Sequence, residues 1–294
     1  MENKIVTVAS SPHIKSNLRV NKIMLDVIIA LVPVTAAGIY FNGIEGLLFM
    51  AVTVVSSMLA EVIFKKLLHK KHSLNDLSAI VTGMILALIL PVSTPLWVGV
   101  VSAFFAIVLV KELYGGLGQN FMNPAVSAKI FAVVSYGKVV INGGFADAQS
   151  SGRIVGMAGG NLGEASIIAI LIGGFYLIYR GIIRARVPFV IILISLLFSQ
   201  FVLKDISILG LNSSIYLVAF FIANDYASSS ITNGGRWIFA TLLGAFICVF
   251  VGINKNAQGA QEGAYYAVLI ANVFAPFIDT FFKGKVDKKK EATA

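Results

Sequence analysis

The sequence predicts an all-α integral membrane protein with about ten transmembrane helices. Three observations predict it. Of 294 residues, 57% are hydrophobic and 13% charged, whereas soluble domains carry roughly 25% charged residues. The mean hydropathy is +0.87, which is more apolar surface than a water-soluble chain of this length can hide. The apolar residues also fall in long continuous runs. A β-barrel would instead show period-two alternation over ~10 residues per strand. The same composition excludes a soluble enzyme and a disordered chain.

A helix needs about 20 apolar residues to cross a ~30 Å hydrocarbon layer. Ten apolar segments follow in order: Val20–Phe41, Gly43–Leu68, Leu77–Leu90, Pro95–Tyr114, Asn123–Tyr136, Gly163–Gly181, Val187–Leu203, Ser213–Ala223, Arg236–Ile253 and Glu262–Phe282. Leu77–Leu90, Asn123–Tyr136 and Ser213–Ala223 are short for a crossing. Two readings stand for them: broken helices lining a site near the bilayer midplane, or tilted and thinly covered spans.

The segments divide the chain into a segment 1–19, a first membrane repeat 20–136, a loop 137–162, a second repeat 163–282 and a basic tail 283–294. The repeats measure 117 and 120 residues, with five segments each. An odd number per half turns the second half upside-down relative to the first, the condition for an inverted repeat.

The net charge of +9 sits in short runs beside the apolar segments, where basic residues set orientation and do not signal nucleic-acid binding. Lys4, Lys15, Arg19 and Lys22 precede the first segment, and Lys65, Lys66, Lys70 and Lys71 follow the second. Arg180, Arg184 and Arg186 join the sixth to the seventh, and Lys283, Lys285, Lys288, Lys289 and Lys290 follow the last. Ten crossings put all four clusters on one side, the cytoplasm, with both termini there. The polar start is not a secretory signal. The lone cysteine, Cys248, permits no disulfide within the chain.

The stretch with most chemical content runs Gly115-Gly116-Leu117-Gly118-Gln119-Asn120-Phe121-Met122-Asn123-Pro124-Ala125. Glycines adopt positive φ and let backbone approach a ligand, and Pro124 suits the first turn of a helix. Asn120 and Asn123 then present amides beside free helix N–H groups. The turn reads either as a cradle for a planar polar heterocycle or an anion, or as a tight turn capped by Asn123.

Lys111 and Glu112 lie just before this turn, and Asp225 follows the short eighth segment in Asn224-Asp225-Tyr226. An ionisable group inside the bilayer is a functional candidate by default, so these three are candidates for an ion path. Asp26, Glu61, Lys129, Glu262 and Asp279 also sit in or beside apolar runs. Asp26 has the interface as its simplest explanation, Glu61 a pairing with Lys65 at i,i+4, and Asp279 the nearby tail. His13, His69 and His72 lie in basic segments, so no metal-ligand cluster forms. No phosphate-binding loop is present.

Three stretches, Ser10-Ser11-Pro12-His13, the glycine turn through Asn123-Pro124-Ala125, and Gly160-Asn161-Leu162-Gly163-Glu164-Ala165-Ser166, resemble the RnfD proteins, membrane components of the Rnf complexes, which are ion-translocating ferredoxin:NAD oxidoreductases. The NqrB proteins of the sodium-translocating NADH:quinone reductases are the sister family. The resemblance covers nearly the whole chain. It implies ten transmembrane helices in two inverted repeats, similar to urea and ammonium channels. It also implies one member of an assembly of about six subunits in a prokaryotic plasma membrane, with electrons passing through flavins as Na⁺ or H⁺ crosses. Riboflavin is implied near the asparagine-bearing turn, here Gly115, Gly116, Gly118, Asn120 and Asn123. FMN is implied on a loop threonine. The matching loop departs from that pattern: aligning Asp147-Ala148 puts Arg153 at the acceptor position, and no threonine lies between Lys138 and Leu162. Ser150 or Ser151 as acceptor, non-covalent FMN with Arg153 on its phosphate, and loss of that flavin are the alternatives. Two other functions compete: a passive channel for a small solute, which an inverted repeat also suits, and an anchor that positions redox partners without carrying electrons.

Overall fold

With no water to hydrogen-bond the main chain, a spanning segment satisfies its N–H and C=O groups within itself, and the apolar runs accordingly form helices. The computed structural model describes residues 20–69, 76–141, 161–204, 207–210, 212–253 and 257–291. Among them there is no strand, only an isolated pairing of Pro91 with Asn161. The helices are α1 Val20–Leu67, α2 Ser78–Ile89, α3 Leu96–Phe104, α4 Pro124–Ile141, α5 Ile167–Tyr179, α6 Arg186–Phe198, α7 Ser207–Gly210, α8 Ser213–Leu217, α9 Asn233–Ile253 and α10 Ala257–Glu291. Three continue with wider π spacing, α3 over Phe105–Glu112, α6 over Ser199–Leu203 and α8 over Val218–Ile222, and a 3₁₀ turn at Leu162–Glu164 precedes α5.

Among the described residues, four stretches are long and apolar enough to cross a membrane: Val20–Leu67, Arg186–Leu203, Asn233–Phe250 and Glu262–Phe282. Ser78–Ile89, Ile167–Tyr179 and Ser213–Ile222 are shorter apolar helices. Large apolar side chains such as Phe175, Phe189 and Phe277 point outward, 60–70% exposed, which suits lipid and not water.

The first two expected segments are joined. The 48 residues of α1 would measure about 72 Å if straight, but Gly43 breaks the helix with φ 63 and ψ −146. A Cβ built on Gly46 would lie 3.8 Å from the Gly38 carbonyl oxygen, against about 12 Å for eight residues of straight helix. The chain therefore turns back at Gly43. The expected short segment Asn123–Tyr136 is the first part of α4: the backbone is non-helical at Tyr136 (φ −127, ψ 27), and a further helical stretch runs from there to Ile141. Leu77–Leu90 and Ser213–Ala223 do form short helices, and their C-terminal residues are buried.

Glycines set how closely the helices cross. A Cβ on Gly173 of α5 would overlap the Ala30 carbonyl of α1 and the Phe221 ring, and one on Gly38 would overlap the Leu162 carbonyl. Such small-residue contacts let backbones touch. At Gly244 an added Cβ meets only the Ile194 side chain at 3.2–3.3 Å. Gly173→Ala is expected to cost about 1–3 kcal/mol and Gly244→Ala less. Thermal unfolding of the two variants in detergent checks the order.

Candidate functional site

Local chemistry builds the glycine turn. The backbones of Gly115, Gly116 and Gly118 have φ of +119°, +93° and +90°, a region that residues with a Cβ avoid. The turn closes through Gly116 N–H to the Lys111 carbonyl (3.0 Å) and Gln119 N–H to the Gly116 carbonyl (3.2 Å). It delivers Asn120 and Asn123 to the interior, both buried. The Asn123 side-chain oxygen accepts from the N–H groups of Ala125 (3.1 Å) and Val126 (3.2 Å), so it caps α4 with Pro124 in the first turn.

A second polar stretch meets it from the other half of the chain. Asp225 accepts from the Ser228 hydroxyl (2.8 Å) and the Asn123 amide (3.4 Å). Asn224 donates to the Ala219 carbonyl (2.8 Å), closing the π end of α8. In the amide orientation its neighbours require, Asn272 of α10 accepts from Asn123 N–H (3.0 Å) and donates to the Ser228 carbonyl (3.1 Å). Asp279 holds the stretch in place. It accepts from the Ser230 hydroxyl (2.6 Å), the N–H groups of Ile231 (2.9 Å) and Thr232 (3.1 Å), and the Thr232 hydroxyl (2.8 Å).

These parts border a partly open cavity of about 80 Å³ that widens toward its mouth. Val81, Ile85, Leu177, Ile182, Phe220 and Phe221 give it apolar walls, while Lys111, Asn120, Asn123 and Asp225 bring polar groups to it. The buried Asn120 side-chain oxygen has no hydrogen-bond partner among the described residues, a costly condition for a buried acceptor. The glycines shape the turn but do not line the cavity; Leu117 does.

Lys111 and Glu112 end the π stretch of α3 and are both buried. Adjacent residues of a regular helix point ~100° apart, and the wider π winding brings both inward. Lys111 donates to Glu61 (2.9 Å) and to the Ser78 hydroxyl (2.6 Å). Lys65 pairs with Glu61, and Glu112 lies 3.8 Å from Lys65 and 3.9 Å from Lys111. Two cations thus balance two carboxylates behind the cavity wall. The Glu61–Lys65 pair follows from i,i+4 spacing, but nothing in the sequence signals that Lys111 joins it across fifty residues. Asp26 likewise gains partners from afar, accepting from Tyr176 (2.9 Å) of α5 and from Arg180 (3.1–3.2 Å) at its C-cap.

The structure therefore brings Lys111, Asn120, Asn123 and Asp225 to one cavity, with Glu112 beside it. Ser150, Ser151 and Arg153 lie outside the described residues. Among the described residues no group of three or more His, Cys, Asp or Glu side chains could hold a metal ion. What the cavity offers is apolar walls with a few amide and carboxylate groups, the general make-up of a small-molecule site.

The model of the NQR2, RnfD, RnfE family matches residues 7–288, a span containing every cavity residue. The chain belongs to that family. A relative from Acetobacterium woodii, a subunit of a Na⁺-translocating ferredoxin:NAD⁺ oxidoreductase complex, is 38% identical, with 98% of each chain covered. A relative from Clostridium ljungdahlii, a subunit of a proton-translocating ferredoxin:NAD⁺ oxidoreductase complex, is 28% identical over 96% of each. One from Escherichia coli, a subunit of an ion-translocating oxidoreductase complex, is 30% identical over 96% of this chain and 98% of its own. Membership of the NQR2, RnfD, RnfE family thus extends over the whole membrane domain, both polar stretches included.

Proposed function

We propose that this chain is a membrane subunit of an ion-translocating ferredoxin:NAD⁺ oxidoreductase complex and that it holds riboflavin in the cavity between the glycine turn and Asp225. The observation that carries the flavin reading is Asn120, a buried residue lining the cavity, whose side-chain oxygen has no hydrogen-bond partner among the described residues. The ring of a flavin presents an N–H to such an acceptor and two apolar faces to Val81, Ile85 and Phe220. Bound there, a flavin supplies one- and two-electron redox chemistry. The protein's part is to fix the ring's edge through Asn120, to keep Asn123 and Asp225 locked together at its border, and to exclude water with the apolar walls. The site suits riboflavin better than FMN. Lys111 is already committed to Glu61 and Ser78, and Asp225 would repel a phosphate.

The finer architecture supported by the segment pattern is ten crossings in two inverted five-helix halves, the urea-channel type. Both termini would be cytoplasmic in a prokaryotic plasma membrane, with about five further subunits as partners and FMN, if carried, on the 145–153 loop. The named relatives differ in their ion, Na⁺ in one and protons in another, so family membership is compatible with either.

Asn120→Ala removes the acceptor. A hydrogen bond of this kind contributes about 1–3 kcal/mol, so riboflavin binding should weaken roughly ten- to a hundredfold. Riboflavin per complex, measured after purification of the whole assembly, should fall together with ferredoxin-dependent NAD⁺ reduction. Unchanged flavin content and turnover would leave the chain an anchor without a redox role.

A further inference from the structure

A second buried polar centre lies away from the cavity, and the glycine-turn chemistry does not use it. Lys129 of α4 is fully buried. Its ammonium donates to the Ile89 carbonyl at the end of α2 (2.8 Å) and pairs with Glu262 of α10 (2.9 Å). It also stacks over the Tyr265 ring, 3.9 Å from the centroid. Tyr265 donates its hydroxyl to Glu164 on the 3₁₀ turn before α5, and Asn161 donates its amide to the same carboxylate oxygen (2.7 Å). The pairing of Pro91 with Asn161 fixes this turn against the end of α2.

The charges do not balance. Two carboxylates share one ammonium, and Glu164, 2% exposed, has no salt-bridge partner among the described residues. Three acceptor oxygens here lack any donor among those residues: the second carboxylate oxygens of Glu164 and Glu262, and the side-chain oxygen of Asn161, itself 1% exposed. An uncompensated carboxylate in such surroundings is expensive. Unpartnered oxygens with a net charge of −1 are the donor set of a hard monovalent cation. With the Lys129 ammonium already neutralising one of the two acids, the site does not suit a divalent ion. The titratable groups facing Glu164 are Lys129, Glu262 and Tyr265. Around the turn, α2 and α8 bring Leu88 and Leu217 against Gly163, and α1 brings Gly38 and Gly46 against Leu162.

We propose that Glu164, Asn161 and Glu262 bind one monovalent cation, Na⁺ or a proton, next to the fixed charge of Lys129, as a station on the ion path of this protein. The proposal rests on the ion-translocating reading above. It also places the station near the redox site: α4 carries Asn123 at its start and Lys129 six residues later, about 9 Å along the helix.

The test uses the purified, flavin-loaded whole complex. Infrared difference spectra are taken between NaCl and choline chloride at fixed pH, and then across a pH titration without Na⁺. A Na⁺-induced carboxylate band that disappears in Glu164→Gln and Glu262→Gln identifies Na⁺. A carboxylic-acid band that titrates without Na⁺ and disappears in Glu164→Gln identifies the proton. Superimposable wild-type and variant spectra in both titrations overturn the site. In liposomes, both variants should move at least fivefold fewer ions per electron with riboflavin content unchanged; wild-type stoichiometry would also overturn it. If Glu164→Gln does not assemble, Glu262→Gln, whose side chain is 17% exposed, carries the test. Asn120→Ala should leave the infrared band in place, so failure of the flavin reading is separately visible.

Discussion

Lys111→Met is expected to destabilise the protein by about 3–5 kcal/mol, because it leaves a buried carboxylate without its cation. The two-plus-two arrangement of Lys65, Lys111, Glu61 and Glu112 would become one cation against two acids, with Glu61 and Glu112 almost wholly excluded from solvent. The Ser78 hydroxyl, which accepts from Lys111 at 2.6 Å, loses that donor as well. Glu61→Gln should be similarly harmful, since it leaves Lys111 without the carboxylate at 2.9 Å. The double variant returns the cluster to one charge of each sign and should recover most of the loss. That non-additivity separates an electrostatic origin from a packing one, because two independent packing defects would add. Thermal unfolding of the four proteins in detergent measures it. Summed losses in the double variant would show that the cluster does not act as a charge-balanced unit.

What the sequence revealed here is what short-range chemistry determines. Asn123-Pro124 at the head of an apolar run reads as a helix start, and the Asn123 cap bonds to Ala125 and Val126 appear as that reading requires. Gly115, Gly116 and Gly118 take the left-handed conformations that make glycine useful in a tight turn. Glu61 and Lys65 are one helical turn apart and pair. Contacts closed by the fold were not legible. The spacing of Lys111, Lys129 and Asp279 says nothing about Glu61, Glu262 or the Ser230–Thr232 loop, which reach them only when distant helices pack. Asp279 illustrates the difficulty. Its nearness to the basic tail is a sufficient explanation in the sequence, yet the folded chain makes it the acceptor for a loop 47–49 residues earlier. Segment ends were legible only where the main chain itself breaks. Gly43 marks a true reversal, and the non-helical Tyr136 interrupts α4 one residue before Gly137.

Asp279→Ala should be the most damaging substitution outside the Glu61–Lys111 cluster, with a loss of about 3–5 kcal/mol. Hydrogen bonds to a charged group contribute about 1.5–3 kcal/mol each. Asp279 accepts four, two of them from the backbone N–H groups of Ile231 and Thr232. The four share one carboxylate and act together, so the total falls short of their sum and near the top of the range for single substitutions. The consequence should reach the cavity. The clamp fixes Ser230–Thr232, that segment begins two residues after Ser228, and the Ser228 hydroxyl donates to Asp225 at 2.8 Å. Loosening the loop frees Asp225 from its partner and blurs the border that Asn123 and Asp225 form together. Asp279→Ala should therefore lower both the unfolding temperature and the riboflavin retained by the purified complex. Asp279→Asn keeps one acceptor oxygen, so it should lie between the wild type and Asp279→Ala on both measures. A variant that unfolds earlier but keeps its full flavin would show that the loop contributes to stability without shaping the cavity.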